Sequence, residues 1–194
     1  LTGGIATGKS HVREAFERLG IATIDSDRLA REAVAPGSPA LDELVARFGR
    51  DVLTKSGTLD RQQMATRVFA DAQSRATLEA VVHPEVHRMT EEWFAGLDAS
   101  SHPYVLAEIP LLYEAGRDAD FDVVIVAACN PELQLARLMA RDGLTEADAR
   151  RRLAAQLPLD YKIARAHHVI RTDDGFEDTN RQVSQLHGRL LASR

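Results

Sequence analysis

Gly3-Gly4-Ile5-Ala6-Thr7-Gly8-Lys9-Ser10 follows the pattern G-x-x-x-x-G-K-S of a phosphate-binding loop. The glycines let the backbone turn tightly and bring its N–H groups up to phosphate oxygens. Lys9 supplies a point charge for the β- and γ-phosphates and is expected to face solvent, and the Ser10 hydroxyl suits the shell of Mg²⁺. Behind the loop, Val12, Ala15, Phe16 and Leu19 fall on one helical face, and Gly20 ends that helix. The loop therefore opens a helix, whose N-terminal amides and dipole favour an anion. A Gly-rich turn that binds nothing is the competing reading, and it has no use for the helix or for Lys9. Candidate nucleotide contacts are thus Gly3, Gly4, Ile5, Ala6, Thr7, Gly8, Lys9 and Ser10, with His11 following. Such a loop sits after a central strand of an open parallel sheet. Only Leu1 and Thr2 precede Gly3 and no initiator Met is present, so more of that strand is expected before residue 1.

The composition fits a compact enzyme. At 194 residues, 44% hydrophobic and 27% charged, the chain has the means for one domain, or one domain with an insertion. No run reaches the length of a membrane span and no signal peptide precedes the loop, so the chain reads as cytoplasmic. Cys129 is alone, which excludes an intramolecular disulfide and fits a small buried residue at a strand end. A net charge of −5 gives no basic field for nucleic acid, so an anionic ligand must be held by local Arg and Lys.

Strands and helices alternate along the chain. Ile21–Ile24, Tyr104–Ala107, Val123–Ala127 and Val169–Ile170 read as strands, the middle two apolar on both faces. A helix through Val34 stops before Pro36-Gly37. From Ser38 to about Leu97 the signals are helical: Ser38 caps Pro39–Phe48, Asp60 caps Arg61–Val68, and Asp71 caps a helix ending at Val82. Pro84 then suits the first turn of a further helix through Phe94. Asn130-Pro131 opens a helix to about Arg141, Thr145 and Asp148 cap one that Pro158 closes, and a last helix spans about Glu177–Leu191. The fold expected is an open parallel α/β sheet flanked by helices, with a core of 1–35 and 103–194. A helical subdomain (about 38–97) and a helical lid (about 141–158) are inserted into it.

Asp25 and Asp27 fall at the carboxyl end of a strand, where open α/β sheets bind ligands. A carboxylate there can hold Mg²⁺, directly or through water, or accept a proton from an attacking hydroxyl. Alternatively Asp27 merely caps the next helix and Asp25 meets solvent. Arg137 and Arg141 are four apart beside a Gly143 hinge, so closure can bring them to a transferring phosphoryl group. A solvated basic face is the plainer alternative for such a pair.

Together these residues resemble the dephospho-coenzyme A kinase family, essentially end to end. The resemblance rests on the loop, on Ile24-Asp25-Ser26-Asp27 with Ala30-Arg31, and on Val34-Ala35-Pro36-Gly37, Gly57-Thr58-Leu59-Asp60-Arg61 and Val68-Phe69. It continues through His83-Pro84, Ile109-Pro110-Leu111-Leu112-Tyr113-Glu114, Gln134-Leu135-Ala136-Arg137 to Arg141, and Gln156. The loop alone is common to many enzymes, whereas the ordered set is specific. The resemblance implies ATP and Mg²⁺ as cofactors and transfer of the γ-phosphoryl group to the ribose 3′-hydroxyl of dephospho-coenzyme A. It implies no nucleic-acid or membrane partner, and a monomer or weak homo-oligomer is expected. It further implies Asp27 as base, Arg137 on the lid facing the phosphoryl group, and Arg31 and His83 as acceptor contacts. Glu108 and Glu114 are read as structural supports or weaker candidates.

The chain also departs from the family pattern. Ala6 and Thr7 stand where Gly and Ser are common, and His11 stands for a frequent Thr. Backbone N–H groups do most of the cradling, so the loop is expected to tolerate this. Ala166-His167-His168-Val169-Ile170-Arg171-Thr172-Asp173 replaces the usual Ala-Asp-x-Val-Ile-x-Asn. His167 and His168 are adjacent on a strand and point to opposite faces, which argues against a shared metal. A regulatory GTPase is disfavoured by the lack of Asn-Lys-x-Asp. Another small-molecule kinase lacks His-Pro and Pro-Leu-Leu-x-Glu, and a non-enzymatic nucleotide module has no need of Asp27.

Overall fold

The structure is a computed structural model describing residues 1–98 and 101–193; the side chain of Phe69, part of the family pattern, lies outside the described set. The chain forms two compact units, Leu1–Ile24 with Asp98–Arg194, and Asp25–Leu97.

The first unit is built on parallel strands. Strand β1 (Thr2–Gly3) leads through the loop into helix α1 (Lys9–Arg18), and β2 (Thr23–Asp25) follows. After the second unit come β3 (Leu106–Glu108) and β4 (Ile125–Ala128). Helices α6 (Pro131–Asp142), α7 (Glu146–Ala154) and α8 (Leu159–Arg165), strand β5 (His168–Arg171) and helix α9 (Gly175–Ala192) complete it. β4 lies between β1 and β5, parallel to both, with Gly3 opposite Ala127 and Ala128 opposite Arg171. β2 pairs with β3. Leu1 N donates to Ala107 O at 2.7 Å, and Leu1 O accepts from Ile109 N at 2.8 Å, which joins β3 to β1 in the parallel pattern. The strands thus run in the order β2-β3-β1-β4-β5.

β4 shows why this sheet is a three-layer core. Ile125 and Ala127 face Val12, Phe16, Val183 and Leu186 of α1 and α9, while Val124, Val126 and Ala128 face Leu112, Tyr113 and Ile163 on the other side. A strand apolar on both faces is what such a position requires. Cys129, just beyond β4, is buried as expected, and burial pushes its thiol above the usual range.

The second unit is helical: α2 (Ser26–Ala33), α3 (Pro39–Phe48), α4 (Arg61–Ala70) and α5 (Ala72–Ala95). Val34, Leu41, Leu44 and Val81 form its core, with Phe48, Leu78 and Val82 packed around them. The three expected caps form: Leu41 N donates to Ser38 Oγ, Gln63 N to Asp60 Oδ1, and Ser74 N to Asp71 Oδ2. Helix α2 packs on α5 and so counts with this unit rather than with the sheet. Among the described residues no helix is long and apolar enough to cross a membrane.

Three expectations need correction. The helix expected to end at Val82 and the one expected to begin at Pro84 are a single helix, α5. Pro84 removes one N–H from the ladder, but Val81 and Thr90 on either side are buried, so packing carries the helix through. Helix α8 was not expected, because Pro158 reads as a stop. In the structure α7 ends at Ala154 and Pro158 instead precedes the first turn of α8. Strand bounds shift by one or two residues, since the β3 ladder begins where Leu106 N reaches Ala22 O at 3.0 Å.

Because Pro84 interrupts a continuous helix, Pro84→Ala should stabilise the protein by about 1–3 kcal/mol, restoring a backbone donor and relieving the ring's clash. Urea denaturation measures this. If Pro84 began a helix, the same change would leave stability unchanged or lower it.

Candidate active site

The loop between β1 and α1 is held by close backbone contacts. A Cβ on Gly3 would lie 2.4 Å from Ala127 O, and one on Gly4 would lie 2.5 Å from Gln134 Nε2. Gly8 is left-handed, with φ 84°, and any side chain there would press on Thr172 at 3.3 Å. Each glycine answers a different steric demand. Ala6 departs from the pattern at a cost: its φ is +60°, so the tolerance expected of this substitution carries backbone strain.

Lys9 is buried rather than solvent-facing, at 9% exposure, and its Nζ donates to Gly4 O at 2.7 Å. The side chain folds back across its own loop, where a carbonyl satisfies the ammonium. Thr7 is buried too, and its hydroxyl donates to the same Gly4 O at 2.9 Å. Ser10 is exposed on the first turn of α1. His11 Nε2 lies 3.0 Å from Asn180 Oδ1, and its ring meets Phe176 at a tilt of 36°, with centroids 4.3 Å apart. Phe176 is 71% exposed, an aromatic face beside the loop helix that its spacing in the sequence did not flag.

Three further side chains support the loop from outside. Thr172 Oγ1 donates to Thr7 O at 2.9 Å. Gln134 Nε2 donates to Ile5 O, and Ile5 N donates to Gln156 Oε1, each at 2.8 Å. These contacts join residues more than a hundred positions apart, so no local pattern reveals them.

The two arginines diverge. Arg137 donates to Thr172 Oγ1 at 3.0 Å and to Thr172 O at 2.7 Å, which ties it to the loop through Thr172. Arg141 is exposed and pairs with Asp142, which also takes Arg152 at 2.7 Å. The i,i+4 spacing does not bring them to one target here. Glu108 is buried at the end of β3 with Arg13 Nε at 3.0 Å. Glu114 pairs with the fully buried Lys162 at 2.7 Å and accepts from Leu157 N at 3.0 Å.

In the helical unit the cap is Asp25, not Asp27. Asp25 Oδ1 accepts from Asp27 N at 2.9 Å and from Arg28 N at 3.3 Å, while Asp27 stands exposed on the first turn of α2. The strand-to-helix junction requires a cap at its first residue, and Asp25 occupies it. Arg31 is exposed in the last turn of α2, and His83 is exposed in α5. No group of three or more His, Cys, Asp and Glu able to hold a metal occurs among the described residues.

A family model described as Dephospho-CoA kinase matches residues 1–178. The dephospho-CoA kinase of Syntrophotalea carbinolica is 44% identical over 98% of this chain and 90% of its own length. That of Anaeromyxobacter dehalogenans is 49% identical over 88% of this chain and 81% of its own. Among solved structures, a Thermus thermophilus protein superposes with a TM-score of 0.82 at 34% identity, covering 97% of this chain and 95% of that one. The dephospho-CoA kinase of Campylobacter jejuni gives 0.74 at 27%, covering 99% and 96%.

The loop geometry makes opposite demands at two neighbouring positions. Ala6→Gly should stabilise by up to about 1 kcal/mol, the left-handed strain exceeding glycine's extra unfolded-state entropy. Gly3→Ala should destabilise by more than about 3 kcal/mol, since its methyl meets a backbone carbonyl. Chemical denaturation of both variants checks the signs.

Proposed function

The chain belongs to the dephospho-coenzyme A kinase family, and we propose that Lys9, Asp27 and Arg137 carry its chemistry. The enzyme transfers the γ-phosphoryl group of ATP to the ribose 3′-hydroxyl of dephospho-coenzyme A, giving coenzyme A and ADP. The observation that carries this reading is the complete phosphate loop at the mouth of a helix, within a chain that is family-like throughout.

In this reading the loop Gly3–Gly8, with the first turn of α1, receives the polyphosphate on its backbone amides, the Ile5 N–H excepted, since it is taken by Gln156. Lys9 leaves Gly4 O to meet the β- and γ-phosphates. The bond between the acceptor oxygen and the γ-phosphorus forms as the β–γ bridging bond breaks, and the acceptor proton passes to Asp27. Arg137 offsets the charge that spreads over the transferred group, and Arg141 assists when the lid, about 141–158, closes. Arg31 and His83 contact the acceptor. His11 joins the nucleotide contacts from the first turn of α1, its ring held by Asn180 and Phe176.

The residues fit Mg²⁺. The exposed hydroxyl at Ser10, on the first turn behind the loop, suits an ion held largely by substrate phosphates and water, with Asp25 reaching it through water. When bound, the ion supplies charge neutralisation on the phosphate oxygens. We read the enzyme as cytoplasmic and as a monomer or weak homo-oligomer. A shikimate kinase from Bacteroides thetaiotaomicron, with a TM-score of 0.51 at 15% identity, shares the fold alone and lends no support to a different acceptor.

Lys9→Ala should cut turnover at least 10²-fold, by the measure of losing a charge that stabilises the transition state. The variant's circular dichroism should match the parent's, and near-normal turnover would remove the loop from the mechanism.

Asp27→Asn should lower turnover by ~10²–10⁴-fold while both substrates still bind. Asp25→Asn keeps a competent helix cap, so its effect should appear as a raised Mg²⁺ requirement. Titrating Mg²⁺ against turnover separates the two. Rescue of the Asp27 variant alone by excess Mg²⁺ would reverse the assignment.

A further inference from the structure

Both peptide groups of Ile5 are held by amide side chains from outside the loop. Ile5 N donates to Gln156 Oε1 at 2.8 Å, and Ile5 O accepts from Gln134 Nε2 at 2.8 Å. Gln134 lies near the start of α6 and Gln156 just beyond the end of α7. The two ends of the α6–α7 hairpin therefore meet on one residue of the phosphate loop.

The hairpin is suited to act as a single piece. α6 ends on Gly143 in a left-handed turn, and Asp142 binds both Arg141 of α6 and Arg152 of α7. Its C-terminal end has a fixed joint. Leu157 N donates to Glu114 Oε1 at 3.0 Å, and the same oxygen pairs with buried Lys162 at 2.7 Å. At the Gln156–Leu157 step, then, the backbone is anchored on Glu114 while the adjoining side chain reaches the loop. Gln134 is itself buried and so close to the loop that Gly4 can carry no Cβ beside it.

The chemistry of the pair also fits. One amide must donate to a carbonyl and the other accept from an N–H, and neither adds charge beside a polyphosphate. We propose that Gln134 and Gln156 are positioning residues that couple the α6–α7 hairpin to the phosphate loop, so that the hairpin sets the orientation of the two peptide groups on either side of the Ile5 Cα. This rests on the phosphotransfer reading above. Hairpin closure then does two things at once: it covers the nucleotide, and it turns the loop's N–H groups into their working direction.

The test uses the full chain with Gln156→Met, which keeps volume and loses the acceptor, and Gln156→Glu, which keeps the acceptor and adds charge. Gln134→Met and the Gln134→Met/Gln156→Met double variant complete the set. Turnover, KM for ATP, ADP affinity by calorimetry and amide exchange of the loop are measured on each. Gln156→Met should lower turnover about three- to tenfold, the range for one lost neutral hydrogen bond, with less than a twofold change in ADP affinity. Its loop exchange should accelerate by a similar factor. Gln156→Glu should restore slow exchange while weakening ADP binding. The double variant should lose less than the product of the single losses, because both amides act on one residue, through the two peptide groups that flank its Cα. Unchanged turnover and exchange in Gln156→Met, or strictly multiplicative losses in the double variant, would overturn the proposal. A fall in melting temperature alone, with turnover and exchange intact, would also overturn it, as the glutamines would then be mere supports. If the unaltered chain failed to phosphorylate dephospho-coenzyme A, the functional reading would fall. The exchange and ADP arms would still decide the coupling.

Discussion

The close approach of Gly3 to Ala127 governs the rest of this structure. β1 pairs with β4 in parallel at this point, and the chain must leave the sheet immediately to begin the loop. With a Cβ only 2.4 Å from the Ala127 carbonyl, any other residue would force β1 and β4 apart. Keeping them together lets α1 start where the strand ends, so its first-turn amides converge on the loop. It also brings Ala128 and Thr172, at the carboxyl ends of β4 and β5, up to the same place. Anion binding at the end of a parallel sheet thus follows from one backbone contact and the two hydrophobic faces of β4.

The loop's polar groups are satisfied by partners drawn from the whole first unit. Thr7 and Lys9 serve Gly4 O, Thr172 serves Thr7 O, and Arg137 in turn holds Thr172. Such a chain of neutral and charged donors is worth more together than singly, because each member fixes the next. Glu114 with Lys162 plays the corresponding part beyond the end of α7, at Leu157. Leaving either ion without the other would cost about 3–5 kcal/mol, which keeps the joint at Leu157 in place. Rigidity is therefore spent on the two ends of the α6–α7 hairpin, and the part between them is left exposed.

Much of this is legible in the sequence, for physical reasons. The loop, the six-residue spacing from Gly3 to Lys9 and the caps at Ser38, Asp60, Asp71, Asn130 and Thr145 depend on neighbours within a turn, so local pattern suffices. Strands β3 and β4 are legible because both their faces are apolar. What escapes is what depends on distant partners. Pro84 looks like a helix start, yet packing of α5 overrides its lost hydrogen bond. Asp27 looks like the cap and Asp25 like a solvent-facing residue, whereas the extended backbone at the junction makes Asp25 the cap. Lys9 looks solvent-facing until Gly4 O is seen beneath it. Gln134 and Gln156 appear in the family pattern, but nothing in their own neighbourhoods says that both reach Ile5.

The central claim is that this loop delivers a phosphoryl group to one hydroxyl of one acceptor. The most direct measurement incubates the purified chain with ATP and Mg²⁺ against dephospho-coenzyme A, adenosine and nucleoside monophosphates in parallel. Phosphorus NMR then locates the new phosphate. Turnover with dephospho-coenzyme A should lie far above that with the others, and the product should be a monoester at the ribose 3′ position. Preferred phosphorylation of a nucleoside or nucleotide, or a phosphate at any other hydroxyl, would contradict it.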